Sequence, residues 1–393
     1  MVTAPRRKGS ADEPWVFGAT DESSKIHLAK LIEWDQARPG AAQEILLRLP
    51  GMTDDVADAI LDWIDADSEP RPAGAEVDTY AEFSVPISPR NGLPPNLEEL
   101  LLVQGVEEFV LFGESRIVVQ KVDDTPANRL DEFRPWVDYL TVYSGCRNES
   151  QSGLPRVFIN QSNLFSLHQQ LTRRMPIAWA NFIILLRQYG PGDAGESSLG
   201  PELLTLDFTQ PAEFTIDNML DVIDSAVSVT QNDKAVRVPS PFSSDLLLMQ
   251  HQLTRLFDQV TSDSNPFSIG QVNINMAPEE VLLAVPGIDE DLADKILAAQ
   301  VNASDSESRR NHPVWLLTEG LVNIPTMKNL LPHLNTGGDV FRAEFWGRSD
   351  DRHGIYRCEA VVDATGLSAR QTYLRELEVG KWPFLENQAQ EKE

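Results

Sequence analysis

Cysteine is nearly missing from this chain of 393 residues: Cys146 and Cys358 are the two it has. They permit at most one intramolecular bridge, which excludes a cysteine-rich scaffold and leaves export possible but unproven. Long apolar runs are lacking too. No stretch approaches the roughly 20 residues that a bilayer-spanning helix needs. The opening MVTAPRRKGSADEPW carries basic residues without the apolar core of a signal peptide. Positive charge is scarce, with 33 Lys and Arg against 60 Asp and Glu, a formal charge of −27. Such a surface repels phosphate backbones and anionic lipid headgroups alike, so no nucleic acid is expected as a partner. The six histidines show neither HExxH nor paired spacing, which argues against zinc. There is no Walker loop, dinucleotide fingerprint or G-x-S-x-G elbow, so nothing supports an enzyme. Cys146, in a Ser-Gly-Cys-Arg-Asn turn with no histidine close in sequence, reads as a passive thiol.

What is present is an ordinary globular composition, 41% hydrophobic, in a chain long enough for two or three domains. Its most informative stretch is Gln271–Gln300, QVNINMAPEEVLLAVPGIDEDLADKILAAQ. Val272-Asn273-Ile274-Asn275 alternates as a short strand does. Pro278 suits a first helical turn, and Glu279 and Glu280 place negative charge at the positive end of the helix dipole. Pro286-Gly287 ends that helix, and Asp289 can cap a second one carrying Leu292, Ile296 and Leu297 at helical spacing. The pattern predicts a helix–hairpin–helix.

The pattern recurs. Pro50-Gly51, Asp55, Ala57, Asp58, Ile60 and Leu61 match Pro286-Gly287, Asp291, Ala293, Asp294, Ile296 and Leu297, seven identities within a dozen residues. A fainter copy without the Pro-Gly pair runs from Arg156 through Pro176 to Leu186. Both hairpins open their second helix with carboxylates, Asp54-Asp55 and Asp289-Glu290-Asp291. Those charges would occupy the helix end that DNA-binding hairpins turn toward phosphate, so the hairpins read as packing modules.

Elsewhere, Trp15–Gly18 and Lys25–Leu28 read as short strands, with helical patterns following to Ile64. Asn96–Val103, Asp217–Ser228 and Ser244–Val260 read as helices, Gly190–Pro201 as a flexible loop and Val301–Arg310 as a polar one. The last quarter changes period: Asp339–Arg348, Gly354–Asp363 and Ser368–Glu378 alternate with period two, predicting a three-stranded antiparallel meander.

One loop collects hard oxygen donors. Asp62, Asp65, Asp67 and Glu69 are followed by Glu76 and Asp78 in a segment rich in proline and glycine. Calcium takes six to eight such oxygens in flexible geometry. The spacing is not that of an EF-hand, and on spacing alone a solvated acidic loop is the commoner outcome.

Several stretches together resemble one family, general secretion pathway protein K, the minor pseudopilin of the type II secretion system. They are Gly18–Leu28 (GATDESSKIHL), Leu49–Tyr80, Pro89–Gly92 with Leu97–Gly105, Gln271–Gln300 and Asp339–Arg342. The resemblance implies an α+β fold: a pilin-like antiparallel sheet with a large inserted helical domain containing repeated helix–hairpin–helix units. It divides the chain into a disordered lead (1–14), an early strand (15–28), the inserted helical domain (29–335), the C-terminal part of the sheet (336–385) and a disordered tail (386–393). It implies a place at the tip of the periplasmic pseudopilus at the inner membrane, among other minor pseudopilins and in contact with secreted cargo. It also implies calcium in the helical domain, for which Asp65, Asp67, Glu76 and Asp78 are the candidate ligands. The family's leader and long apolar N-terminal helix, its membrane anchor, have no counterpart in the sequence, and a truncated start is the expected reason. A nucleic-acid-binding hairpin protein and a soluble calcium-dependent interaction module are the alternatives.

Overall fold

The computed structural model describes residues 5–6, 16–113, 134–231, 234–301, 310–348 and 355–377. They fall into two compact units, the first made of Met1–Cys146, Ile269–Leu297 and Gly337–Glu393, the second of Arg147–Ser268 and Ala298–Thr336.

In the first unit the period-two segments form strands, as the alternation predicts. Val340–Arg348, Ile355–Asp363 and Arg370–Glu376 make an antiparallel meander. Its register pairs Ala343 with Ala360 and Val361 with Tyr373, with an irregularity between Val361 and Val362. A fourth strand, Thr20–Asp21, joins the free side of Val340–Arg348 through Phe341 and Arg342. The joining strand therefore lies later than Trp15–Gly18. Val16–Phe17 pairs instead with Pro5–Arg6, and Gly18, at φ +145°, turns the backbone between the two. The rest of the expected disordered lead and the whole of 386–393 lie outside the described residues.

Helices follow the early strand at Leu28–Ala37, Ala41–Leu46 and Asp54–Ile64. Leu28 and Leu31, Ala42 and Leu46, and Ala57, Ile60 and Leu61 are buried at helical spacing, which is what holds the three together. The turn between the second and third helices carries Gly51 at φ +72°, and the buried Trp136 donates its Nε1–H to the Pro50 carbonyl at 2.9 Å. The later copy has the same parts. Glu279–Leu282 is helical with Pro278 at its N-cap, one position before the first turn, Gly287 lies at φ +92°, and the Asp289 carboxylate accepts the Leu292 amide at the start of Glu290–Val301. Asn96–Val103 is a 3-10 helix over Leu97–Leu102.

The second unit is built around Ile177–Tyr189, whose Ala180, Phe182, Ile183, Ile184 and Leu186 are buried, paired with Leu164–Thr172. The helix expected over Asp217–Ser228 is absent. A 3-10 turn at Met219–Val222 leads into an antiparallel hairpin, Ala226–Gln231 with Lys234–Pro239. Val227, Val229, Val236 and Val238 are buried on one face, so period two prevailed there over period 3.6. Ser197–Ser198, from the expected flexible loop, adds in parallel to this hairpin. Leu246–Gln259 forms the helix read over Ser244–Val260, capped by Asp245 on the Leu247 and Leu248 amides. Residues 302–309 of the expected polar loop lie outside the described residues. No helix among the described residues is long and apolar enough to cross a bilayer.

Candidate functional site

Alternation gives the terminal sheet two chemically different faces. The inner face, carrying Val340, Arg342, Glu344, Trp346, Arg357, Glu359, Val361 and Tyr373, is closed by charge pairs. Arg342 donates to Glu22 Oε1 at 2.9 Å and reaches Glu359 Oε2 at 3.0 Å. Glu22, fully buried, also takes Lys25 Nζ and the Thr141 hydroxyl. Burial alone would raise the Glu22 carboxyl, but Lys25 and Arg342 more than reverse this and hold it at about 2. Arg357 donates to Glu344 at 2.6 Å and lies 4.9 Å over the Trp346 ring. Arg375 pairs with Glu98 at 3.1 Å and stacks 4.1 Å over Phe112. Next to this network, burial pushes His27 down to about 4, and its Nδ1 accepts the Ala29 amide at the start of Leu28–Ala37.

The outer face is mostly apolar, with Glu376 opposite Cys358 and Gln371 opposite Val362 on its outermost strand. In register across three strands stand Phe341, Ala343, Phe345, Tyr356, Cys358, Ala360, Val362 and Leu374. Cys358 and Ala360 are buried, whereas Phe341, Tyr356 and Leu374 are 37%, 47% and 51% exposed. Burial and the Glu376 and Glu344 carboxylates push the Cys358 thiol up, away from reactivity. No disulfide links it to Cys146.

The acidic loop follows the helix Asp54–Ile64. Asp58, Asp62 and Asp65 fall on one side of it, at spacings of four and three. The loop then winds back over them. The Arg71 amide donates to Asp62 Oδ2 at 3.2 Å and the Ala73 amide to Asp58 Oδ2 at 3.1 Å. Gly74 packs so tightly that a Cβ there would stand 1.9 Å from Asp62 Oδ2. The Arg71 side chain enters from the rim, bonding Asp62 Oδ1 at 2.9 Å, Asp35 Oδ2 at 3.3 Å and the Asp65 carboxylate.

Of the four residues chosen from the sequence, the structure buries two. Asp65 keeps Oδ1 without a hydrogen-bond partner, and Glu76, 5% exposed, has neither carboxylate oxygen bonded. Burial raises the Glu76 carboxyl, and the nearby Asp62, Asp65 and Asp67 charges raise it further. Asp67 is exposed and caps the Glu69 amide. Asp78 is exposed in the first turn of Val77–Ala81. Asp58 and Arg71 were missed, and Asp62 was seen in the run without being chosen; the helical spacing of Asp58, Asp62 and Asp65 was the available signal. Among the described residues no three acidic, histidine or cysteine side chains stand converged at metal-ligand distance. The unbonded buried oxygens of the loop are carboxylate ones, Asp65 Oδ1 and both oxygens of Glu76.

The family model described as type II secretion system (T2SS), protein K, matches residues 24–111, which contain the first three helices and the acidic loop. No curated protein matches the chain. Among solved structures, the GspK-GspI-GspJ complex from the type 2 secretion system of enterotoxigenic Escherichia coli is similar at 12% identity and a TM-score of 0.39, over 95% of this chain and 84% of that one. The family match falls on a segment whose residues carry part of the resemblance: residues 24–111 match the domain of protein K of the type II secretion system.

Proposed function

We propose that this chain caps the tip of the pseudopilus on the periplasmic side of the inner membrane, together with other minor pseudopilins. The observation that carries the proposal is the two-sidedness of the terminal sheet. Its inner face is closed by buried ion pairs, while Phe341, Tyr356 and Leu374 stay exposed on an apolar outer face. A pilin-like subunit seats an apolar helix on such a face, which removes this surface from water and joins the subunit to the filament core. The inserted helical residues 29–335, with helix–hairpin–helix packing units at Pro50-Gly51 and Pro286-Gly287, supply bulk that stops further subunits from adding and offers a surface to secreted cargo. The protein acts by position, without catalysis. In the E. coli complex the protein K is assembled with GspI and GspJ, and the corresponding pseudopilins are the partners to test. Co-expression followed by size-exclusion chromatography should give a stable co-eluting complex. Separate elution of every component would sink the proposal.

The same reading assigns calcium to the acidic loop, held by Asp65, Asp67 and Glu76 with Asp78 at the exposed margin. What supports it is the buried Glu76 carboxylate, which has no bonded partner and would cost several kcal/mol to keep charged without a counter-ion. Calcium should raise the melting temperature and a chelator should reverse the rise.

A further inference from the structure

Carboxylates are spread along the whole chain except in one long stretch. Residues 150–192 contain four arginines and no Asp or Glu, in a protein with 60 acids. This stretch holds the fainter copy of the hairpin, folded as Leu164–Thr172 and Ile177–Tyr189. The turn between the two helices carries Arg173, exposed, and Arg174, half-buried, and leads into Ile177, which is 56% exposed.

The helix Leu246–Gln259 brings a further arginine to that turn. Arg255 donates from Nη2 to the Arg174 carbonyl at 3.0 Å and stands 5.9 Å over the Trp179 ring. Trp179 is buried against Phe242, with ring centroids 4.8 Å apart, so the guanidinium rests on a packed floor. Leu248, two turns before Arg255 on the same side of its helix, is 53% exposed. The Arg174 guanidinium donates to the Pro155 carbonyl at 2.8 Å. Among the described residues, no carboxylate lies within ion-pair distance of Arg173, Arg174 or Arg255. The acids of the neighbouring helix are engaged elsewhere: Asp245 caps the Leu247 and Leu248 amides, and Asp258 accepts the Gln151 amide at 2.8 Å.

We propose that Arg173, Arg174 and Arg255, with Ile177 and Leu248 exposed beside them, form a docking surface for a protein segment whose side chains are acidic and apolar. Guanidinium groups resting only on carbonyls keep donors for a carboxylate fork, and the two aliphatic side chains gain by being covered. Charge complementarity selects this class of partner. A formal charge of −27 repels an extended polyanion, whether nucleic acid or an anionic bilayer. A short acidic segment instead feels mainly the charges within a Debye length of about 8 Å, which here are the arginines. The acidic surface elsewhere repels the same segment, which fixes where it binds.

The test is fluorescence anisotropy of the full chain with a labelled amphipathic helical peptide of leucine and glutamate. Its leucine–lysine counterpart and co-sedimentation with phosphatidylglycerol vesicles are run beside it. The glutamate peptide should bind, more weakly as salt rises, and the lysine peptide should not. Arg173→Glu with Arg255→Glu should weaken binding at least about tenfold. Ile177→Ser with Leu248→Ser should weaken it severalfold at an unchanged melting temperature, since both side chains are exposed. If the arginine pair melts lower than wild type, Arg173→Glu alone should still weaken binding, because that exposed side chain makes no hydrogen bond among the described residues. No binding of the glutamate peptide, equal binding of both peptides, or variants that bind as wild type does would each overturn the proposal. So would vesicles captured through these arginines while the peptide stays free, which would make the surface a membrane contact.

Discussion

Arg342 Nε donates to Glu22 Oε1 at 2.9 Å, joining the terminal meander to the turn after the early strand across 320 positions of sequence. Glu22 is fully buried and the Arg342 side chain is 9% exposed, so the pair closes the long insertion with charges that water cannot screen. Removing one partner strands the other. Arg342→Met should cost about 3–5 kcal/mol in chemical denaturation, because Glu22 keeps Lys25 and Thr141 but loses its fork. The double variant Glu22→Gln with Arg342→Met should cost less than the sum of the single ones, since neither of the two is left charged and facing a lost partner, while Lys25 and Glu359 each lose one contact.

His27 sets a pH dependence. Its Nδ1 accepts the Ala29 amide at 3.1 Å, which only the neutral ring can do, and burial lowers its pKa from 6.5 to about 4. Between those values the unfolded chain binds a proton that the folded one refuses, so stability present above pH 6.5 is lost as the pH falls toward 4. Glu22, depressed from 4.5 to about 2, continues the loss below pH 4.5. His27→Asn keeps a helix-capping acceptor without a titrating ring. Denaturation midpoints measured from pH 7 to 4 should fall less steeply in that variant than in wild type.

The elements that were legible in advance are those whose period matches their burial. Val340–Arg348 and Ile355–Asp363 alternate with one face turned to the core, and Asp54–Ile64 buries a helical stripe. The hairpin at Ala226–Pro239 is not legible because Asp217–Ser228 mixes Leu220, Val222 and Val227 so that either period fits over a short window. In the acidic loop, composition identified the donors but not their partners. Nothing local to Glu76 says that it is buried, or that Arg71 rather than solvent answers Asp62; both follow from the loop's return over the helix, fixed by the Arg71 and Ala73 amides.

Gly74 is where that return is tightest. A methyl group there meets Asp62 Oδ2 at 1.9 Å and the Arg71 amide nitrogen at 3.2 Å, and Asp62 is too short and too well bonded to yield. Gly74→Ala should lower stability by about 1–3 kcal/mol, as overpacking does. Under the calcium assignment it should also shrink the calcium-induced rise in melting temperature, because Glu76 follows two residues later. A thermal melt in chelator and in calcium separates the two effects.

The outer face of the sheet makes the opposite kind of prediction, one in which function should fail while folding does not. Leu374 and Tyr356 are 51% and 47% exposed on that face, so charged residues there leave little apolar burial to lose within the chain. Leu374→Asp and Tyr356→Asp should change stability by no more than about 0.5 kcal/mol. An apolar helix seated across the sheet would instead have to bury the new carboxylate against hydrocarbon, at several kcal/mol without a partner. Assembly of the full secretion complex, read by co-purification and by secretion of its cargo, should therefore collapse in variants whose melting temperature is that of wild type. If the variants assemble and secrete normally, the outer face is not the seat of the filament helix, and the subunit must join the pseudopilus through another surface.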